Sequence, residues 1–465
     1  MIKTSLLLKI FNAACMQRWN DKLRPIELTE LDKQAHQMMI EYILGKIEED
    51  EGGKVDWIRI IEGGIYEYLL RSALTDIKPT ILDGIKETNA EQYVGLINWA
   101  HEEWKLMIED FEPKESNENG FGKFQINFVD YHKESKENQN MDINRIILNA
   151  AHITATRWEY NILRKFNDED QDYEATAIKK RLDDKYKEYS SLKGIKALIT
   201  LEKKRLRNKT EYQKIIAKHG DIKRLIDLCG QLRFQLRWAH IHRIPKTSVL
   251  GHLLFVAIIS YLVSLEIEKS DHIKCSQSQR RYNNFFTGLF HDLPEVLTRD
   301  IVSPVKKSIT GFDSIIKDKE KVEMEDKIIK FISNKKWKDE IRLFTGTLIP
   351  PSKDKAIGEF DNAYCKDGTY YSLKTEKKHI TIHKKIPTRY LADKYKPRDG
   401  RIVEHADKLA AFVEALVAIE NGCSSRVLHE ALQTIKPKYN QQKQKEEKPE
   451  EDVAYDVMRE IYTEF

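Results

Sequence analysis

Apolar residues recur at three- and four-residue intervals over Ala35–Ile47, Ala90–Phe111, Ile143–Phe166 and Val403–Ile419, the spacing of amphipathic helices. The pattern predicts a mainly α fold. Val249–Leu265 is seventeen residues long and apolar except at Gly251, His252, Ser260 and Ser264. That is the short limit of the roughly 17–25 residues a spanning helix needs. The ionisable His252 at its entrance, followed later by a His-Asp pair, favours a buried core helix over a membrane partner. Thr369–Leu373 and His379–Ile382 alternate as strands do, and the polar run Lys374–Lys378 between them predicts one β-hairpin. Between residues 167 and 224, Lys, Arg, Asp and Glu crowd around short apolar groups such as Leu192–Leu201, as expected of solvated helices bridging two domains. Lys436–Glu451 is rich in Lys, Gln and Glu and reads as a flexible linker to a last short helix at Val453–Tyr462.

Length adds a constraint. At 465 residues the chain exceeds the roughly 250–300 residues at which single cores stop growing. The expected division is a first domain over 1–166, a charged helical linker over 167–224, a second domain over 225–435 with an insertion at about 310–400, and a tail over 436–465. Net charge is only +4, from 78 basic and 74 acidic residues, so composition alone does not mark a nucleic-acid binder. Any basic surface must be local. From Lys366 to Arg401 eleven Lys or Arg face four Asp or Glu, which fits either a solvated loop or a phosphate-attracting flap. The five cysteines are scattered with no CxxC pair, and Lys9 interrupts the apolar start of the chain. Both features fit a reducing, cytoplasmic setting.

Hydrolysing a phosphate ester at neutral pH needs an activated water and neutralised phosphoryl oxygens, and a divalent ion held by imidazoles and carboxylates supplies both. The dipeptide His291-Asp292 alone carries little weight. Its setting carries more: Arg237-Trp238, then His252 opening an apolar helix, then the string His291-Asp292-Leu293-Pro294-Glu295-Val296-Leu297-Thr298-Arg299-Asp300, continuing through Ser303-Pro304-Val305-Lys306, and finally Ala406-Asp407-Lys408-Leu409. Over residues 225–310 and 400–420 the chain resembles the YfbR-type 5′-deoxynucleotidases of the HD superfamily.

The resemblance implies that His252, His291, Asp292 and Asp407 ligate a divalent metal, with Mn, Co, Zn, Fe and Mg all open. It implies further that Arg237 and Trp238 orient the phosphate, that Glu295 handles the proton of the attacking water, and that Asp300 and Ser303 hold the sugar. Two departures stand out. The 115 residues from Asp292 to Asp407 exceed the family's spacing and contain the basic segment, and Pro294 breaks the helix between the dyad and Glu295.

The first half of the sequence echoes the second. Arg18-Trp19 matches Arg237-Trp238, His36 and the apolar run after it match the helix of His252, Arg71-Ser72 stands for the dyad, and His152 for Asp407. The expected architecture is therefore all-α, a tandem of HD-like helical domains with a small β-hairpin insertion in the second, the first copy having lost its metal. The expected activity is release of phosphate from nucleotides, deoxynucleoside 5′-monophosphates first. The alternatives are a phosphodiesterase or nuclease whose basic insert guides DNA or RNA, and a nucleotide sensor without turnover. Base preference and oligomeric state, a homo-oligomer included, are not written in the sequence.

Overall fold

The computed structural model describes all residues except 1, 76, 109–122, 125, 129, 132–141, 168–172, 205–208, 271–275, 300–308, 310–311, 352–354, 378–379 and 442–452. Among the described residues it is helical apart from two small two-stranded antiparallel sheets. The helices that matter here are α1 (Thr4–Phe11), α2 (Glu30–Asp50), α3 (Trp57–Leu74), α4 (Ile143–Leu163), α5 (Ile222–Gln231), α6 (Val249–Ser270), α7 (Ser278–Phe290), the single turn α8 (Glu295–Thr298), α9 (Gly400–Glu420) and α10 (Val453–Glu464). Ala35–Ile47 and Val403–Ile419 lie inside α2 and α9, the segment from Ile143 runs three residues past the end of α4 at Leu163, and the run from Ala90 falls in a helix over Ala90–Ile108.

Because α6 is apolar on every side, it must be covered on every side. It packs against α2, α7, α9 and α10, and although Val249–Glu268 has the length and hydropathy of a membrane span, 94% of that window is buried inside the protein. It is a core helix. Its contact with α7 is close because residue 288 is glycine: a Cβ there would meet the Ala257 Cα at 2.8 Å. That approach brings the end of α7, and so His291, toward the start of α6.

One hydrophobic cluster runs through both halves, from Ile2 to Tyr462. Tyr42 of α2 lies 4.8 Å from the Phe286 ring and 5.1 Å from the Phe290 ring, both on α7.

The β-structure differs from the expected single hairpin. β1 (Ala363–Lys366) pairs with β2 (Thr369–Ser372), and β3 (Lys374–Lys377) with β4 (Ile380–His383). The first turn is Asp367-Gly368, both with positive φ, the conformation that two-residue hairpin turns demand and that Asp-Gly supplies. The run Lys374–Lys377, expected as a turn, is itself a strand.

Local geometry recurs along the chain. Isolated β-bridges join Gln17 to Thr29 and Leu236 to Ser248, each member of the second bridge 219 residues after its counterpart. Trp19 and Trp238 both have positive φ, at 55° and 56°. Thr29 accepts a hydrogen bond from the Asp32 amide and Ser248 from the Gly251 amide, so a hydroxyl caps each following helix. Thr75 and Arg299, just past α3 and α8, also share positive φ.

Candidate metal centre

His252 sits in the first turn of α6, fully buried. Its Nδ1 lies 3.1 Å from Glu414 Oε1 and its Nε2 lies 2.8 Å from Asp407 Oδ1. Both carboxylates come from α9, where a separation of seven residues spans two turns and places them on one face. His291 follows the last residue of α7, and its Nδ1 is 3.0 Å from the Gly288 carbonyl. A carbonyl can only accept, so Nδ1 carries the proton and Nε2 keeps its lone pair. That Nε2 is buried with no hydrogen-bond partner among the described residues.

Donor atoms of His252, His291 and Asp292 all lie within 4.8 Å of one another. Two imidazoles and a carboxylate converging there, one imidazole nitrogen left orphaned, fit a divalent ion of the first transition row. Asp407 lies outside that mutual trio but stands against His252 Nε2, where it would complete the donor set. The described structure therefore brings three of the four expected ligands together and sets the fourth, Asp407, against one of them.

Electrostatics favour a cation. Burial pushes the Asp407 pKa up, yet the His252 hydrogen bond and the charges of His252, His291 and Arg237 outweigh it and hold the carboxyl below the usual carboxylate range. Burial likewise raises Glu414, and Arg237 and His252 overcome it, so Glu414 also stays ionised. Burial and Arg237 pull His252 down, while Glu414 and Asp407 bring it above the ordinary imidazole value.

Glu414, which the sequence reading missed, is the hub of the second layer. Besides facing His252 it accepts hydrogen bonds from Trp238 Nε1 at 2.8 Å and Arg237 Nε at 3.3 Å. A carboxylate behind a ligating imidazole fixes its tautomer and orientation. Here it also anchors the Arg-Trp pair, and its one legible signal was a lone acid in the apolar stretch Phe412–Ala418. Glu295 is buried at the start of α8, capped by Pro294, so the chain stops one helix at Phe290 and starts another beyond the proline. Asp300 and Ser303 lie outside the described residues.

In the first half, Glu159 accepts from Arg18 Nε at 2.9 Å and Trp19 Nε1 at 2.8 Å, as Glu414 does from Arg237 and Trp238. The rest differs. At the spacing of the two β-bridges Lys33, not His36, falls at the place of His252, and its Nζ lies 2.8 Å from His152 Nδ1. His36 instead packs its Nε2 3.0 Å from the Ile226 carbonyl. Gly64 packs on Met38 as Gly288 packs on Ala257, and in that frame Glu67-Tyr68, not Arg71-Ser72, stands where His291-Asp292 does, while Arg71 stands at Glu295.

Residues 229–436 match the family model described as an HD domain. No curated protein and no solved structure matches the chain.

Proposed function

We propose that residues 229–436, an HD domain and hence part of a superfamily of metal-dependent hydrolases, release phosphate from nucleotides, with deoxynucleoside 5′-monophosphates as the first substrates to test. The observation that carries this is the convergence of His252, His291 and Asp292 around an orphaned imidazole nitrogen. A bound divalent ion would supply Lewis acidity toward phosphoryl oxygens and lower the pKa of water. His252, His291, Asp292 and Asp407 would hold it. Glu414 keeps His252 in the tautomer that offers Nε2 and fixes Arg237 and Trp238, whose exposed edges orient a phosphate. Glu295 is the proton-transfer group, and Asp300 with Ser303 the sugar contact.

The first half is proposed as a copy that lost this chemistry. An ion cannot sit where the Lys33 ammonium already stands, because like charges repel and the lysine contributes no lone pair while protonated.

A screen of phosphate release from deoxy- and ribonucleoside monophosphates, with Mn, Co, Zn, Fe and Mg in turn, tests the assignment. Release from at least one deoxynucleotide, abolished by a chelator, is expected. Inactivity on every nucleotide with each metal would overturn it. A polynucleotide substrate is the second reading, favoured by the position of the insert: Phe360, three residues before β1, lies 5.7 Å from the His291 ring. Steep inhibition of single-strand cleavage by salt would support that reading.

A further inference from the structure

Arg243 is a buried arginine whose Nε, Nη1 and Nη2 all lack a hydrogen-bond partner among the described residues, and the residue is only 3% exposed. A guanidinium carries five donors and does not deprotonate, so leaving it dry and unbonded is strongly unfavourable unless something else completes it. The protein elsewhere avoids this. At the corresponding bridge spacing in the first half stands Arg24, whose Nη1 donates to Gln17 Oε1 at 3.0 Å and to the Arg18 carbonyl at 2.7 Å. In the second half Leu236 stands where Gln17 does, so the side-chain acceptor is gone and the guanidinium is left for a ligand.

Arg243 lines a cavity of about 300 Å³, formed by the loop between the Arg-Trp pair and α6. Arg237, His240, His242 and Lys246 line it too, so its donors and charges are almost all of one sign, and Trp238 adds an aromatic wall. Glu414 is the acid within electrostatic reach of Arg243, and it is already shared by Arg237, Trp238 and His252. Arg237 reaches both ways, since its charge acts on Asp407 at the metal centre and on Arg243 in the cavity. The cavity thus presents cationic donors and shares Arg237 with the candidate metal centre.

We propose that this cavity is a subsite for a second phosphate group of the substrate, held by Arg243 with Lys246 and the two histidines at its rim, which moves the nucleotide preference from the monophosphates named above to nucleoside diphosphates and triphosphates. The inference rests on the nucleotide hydrolase reading only for the identity of the substrate. The unbonded guanidinium and the cationic lining point to a phosphate-rich anion by themselves, because fixed Arg donors match phosphate oxygens bidentately.

Calorimetric titration of the full chain, as purified with its metal, should use inorganic phosphate and the non-hydrolysable imidodiphosphate as probes. The diphosphate analogue is expected to bind at least about 10-fold more tightly, and Arg243→Gln to remove most of that difference, by the loss of charge-assisted bonds. Equal affinity of wild type and Arg243→Gln for imidodiphosphate would overturn the proposal, since the metal alone would then hold it. Ligand-free melting separates binding from structure: Arg243→Met should raise Tm, because it removes a buried charge without hydrogen-bond partners. A lowered Tm would assign Arg243 to the fold instead. If both Arg243 variants fail to fold, Lys246→Gln with His240→Gln at the exposed rim should weaken imidodiphosphate binding several-fold, and unchanged binding would refute the subsite. Tighter binding of a 5′-phosphorylated dinucleotide than of dADP would overturn the choice of a polyphosphate. Diphosphate binding that depends on Arg243 without hydrolysis of any nucleotide would retain the subsite and remove the proposed function. Nucleotide hydrolysis with no dependence of diphosphate binding on Arg243 would do the reverse.

Discussion

The two halves of this chain hold their Arg-Trp pairs the same way and then part company. Glu159 grips Arg18 and Trp19 as Glu414 grips Arg237 and Trp238, and both tryptophans sit at positive φ next to a β-bridge. Beyond that shared frame, the second half gathers two imidazoles and two carboxylates, while the first presents an ammonium against an imidazole. A similar local frame thus borders a candidate cation site in one half and a lysine ammonium in the other. Every ligand position differs between the halves, with Lys33 standing against His152 where His252 faces Asp407. Burial and Arg18 depress the Lys33 pKa to about 8, so the ammonium persists at neutral pH but at a cost.

The contrast breaks most completely if the second half loses a ligand. His291→Ala and Asp292→Ala should each abolish hydrolysis while circular dichroism shows the helices intact; turnover near wild type in either variant would refute the ligand set. Next in size is Glu295→Ala, which should keep the metal but lower kcat by about 10²–10⁴-fold if Glu295 transfers a proton. Parallel loss of metal would show instead that Glu295 is structural.

Glu414→Gln sharpens the comparison at its shared point. The amide is neutral and can present its NH2 to His252 Nδ1, so metal affinity should fall by about 10–100-fold. Titration with a competing chelator measures it, and unchanged affinity would reduce Glu414 to a packing role.

How much of this was legible follows from where the information lies. His291-Asp292 with Glu295 is a local string, and the order of His252, His291, Asp292 and Asp407 along the chain carried the resemblance that named them; the structure draws donor atoms of the first three within 4.8 Å. Glu414 acts through partners 162, 176 and 177 residues away, so nothing local marks it beyond an acid in an apolar helix. The hairpins were misdrawn because the polar run Lys374–Lys377 outweighed the Asp367-Gly368 signal that sets the register. In the repeat, likeness of composition put His36 and Arg71-Ser72 in frames that the β-bridges and the Gly64 and Gly288 contacts do not support. A period in sequence is loose by several residues until backbone pairing fixes it.

The smallest expected effect belongs to the first half. The Lys33 pKa is about 8 when folded and near 10.5 when unfolded, so between those values the unfolded chain holds more protons. Stability contributed by this group therefore rises with pH across that window and is lost as pH falls through 8. Lys33→Met should remove that rise, which denaturant melts of both proteins from pH 7.5 to about 10 would detect. An identical pH slope in the two would show that Lys33 is not the buried cation described.

The central claim is one metal centre per chain, built by the second half. Elemental analysis of purified wild type, Lys33→Met and Asp292→Ala tests it most directly. The account predicts one divalent ion per chain in the first two and none in the third. Two ions in wild type, or one retained in Asp292→Ala, would contradict it.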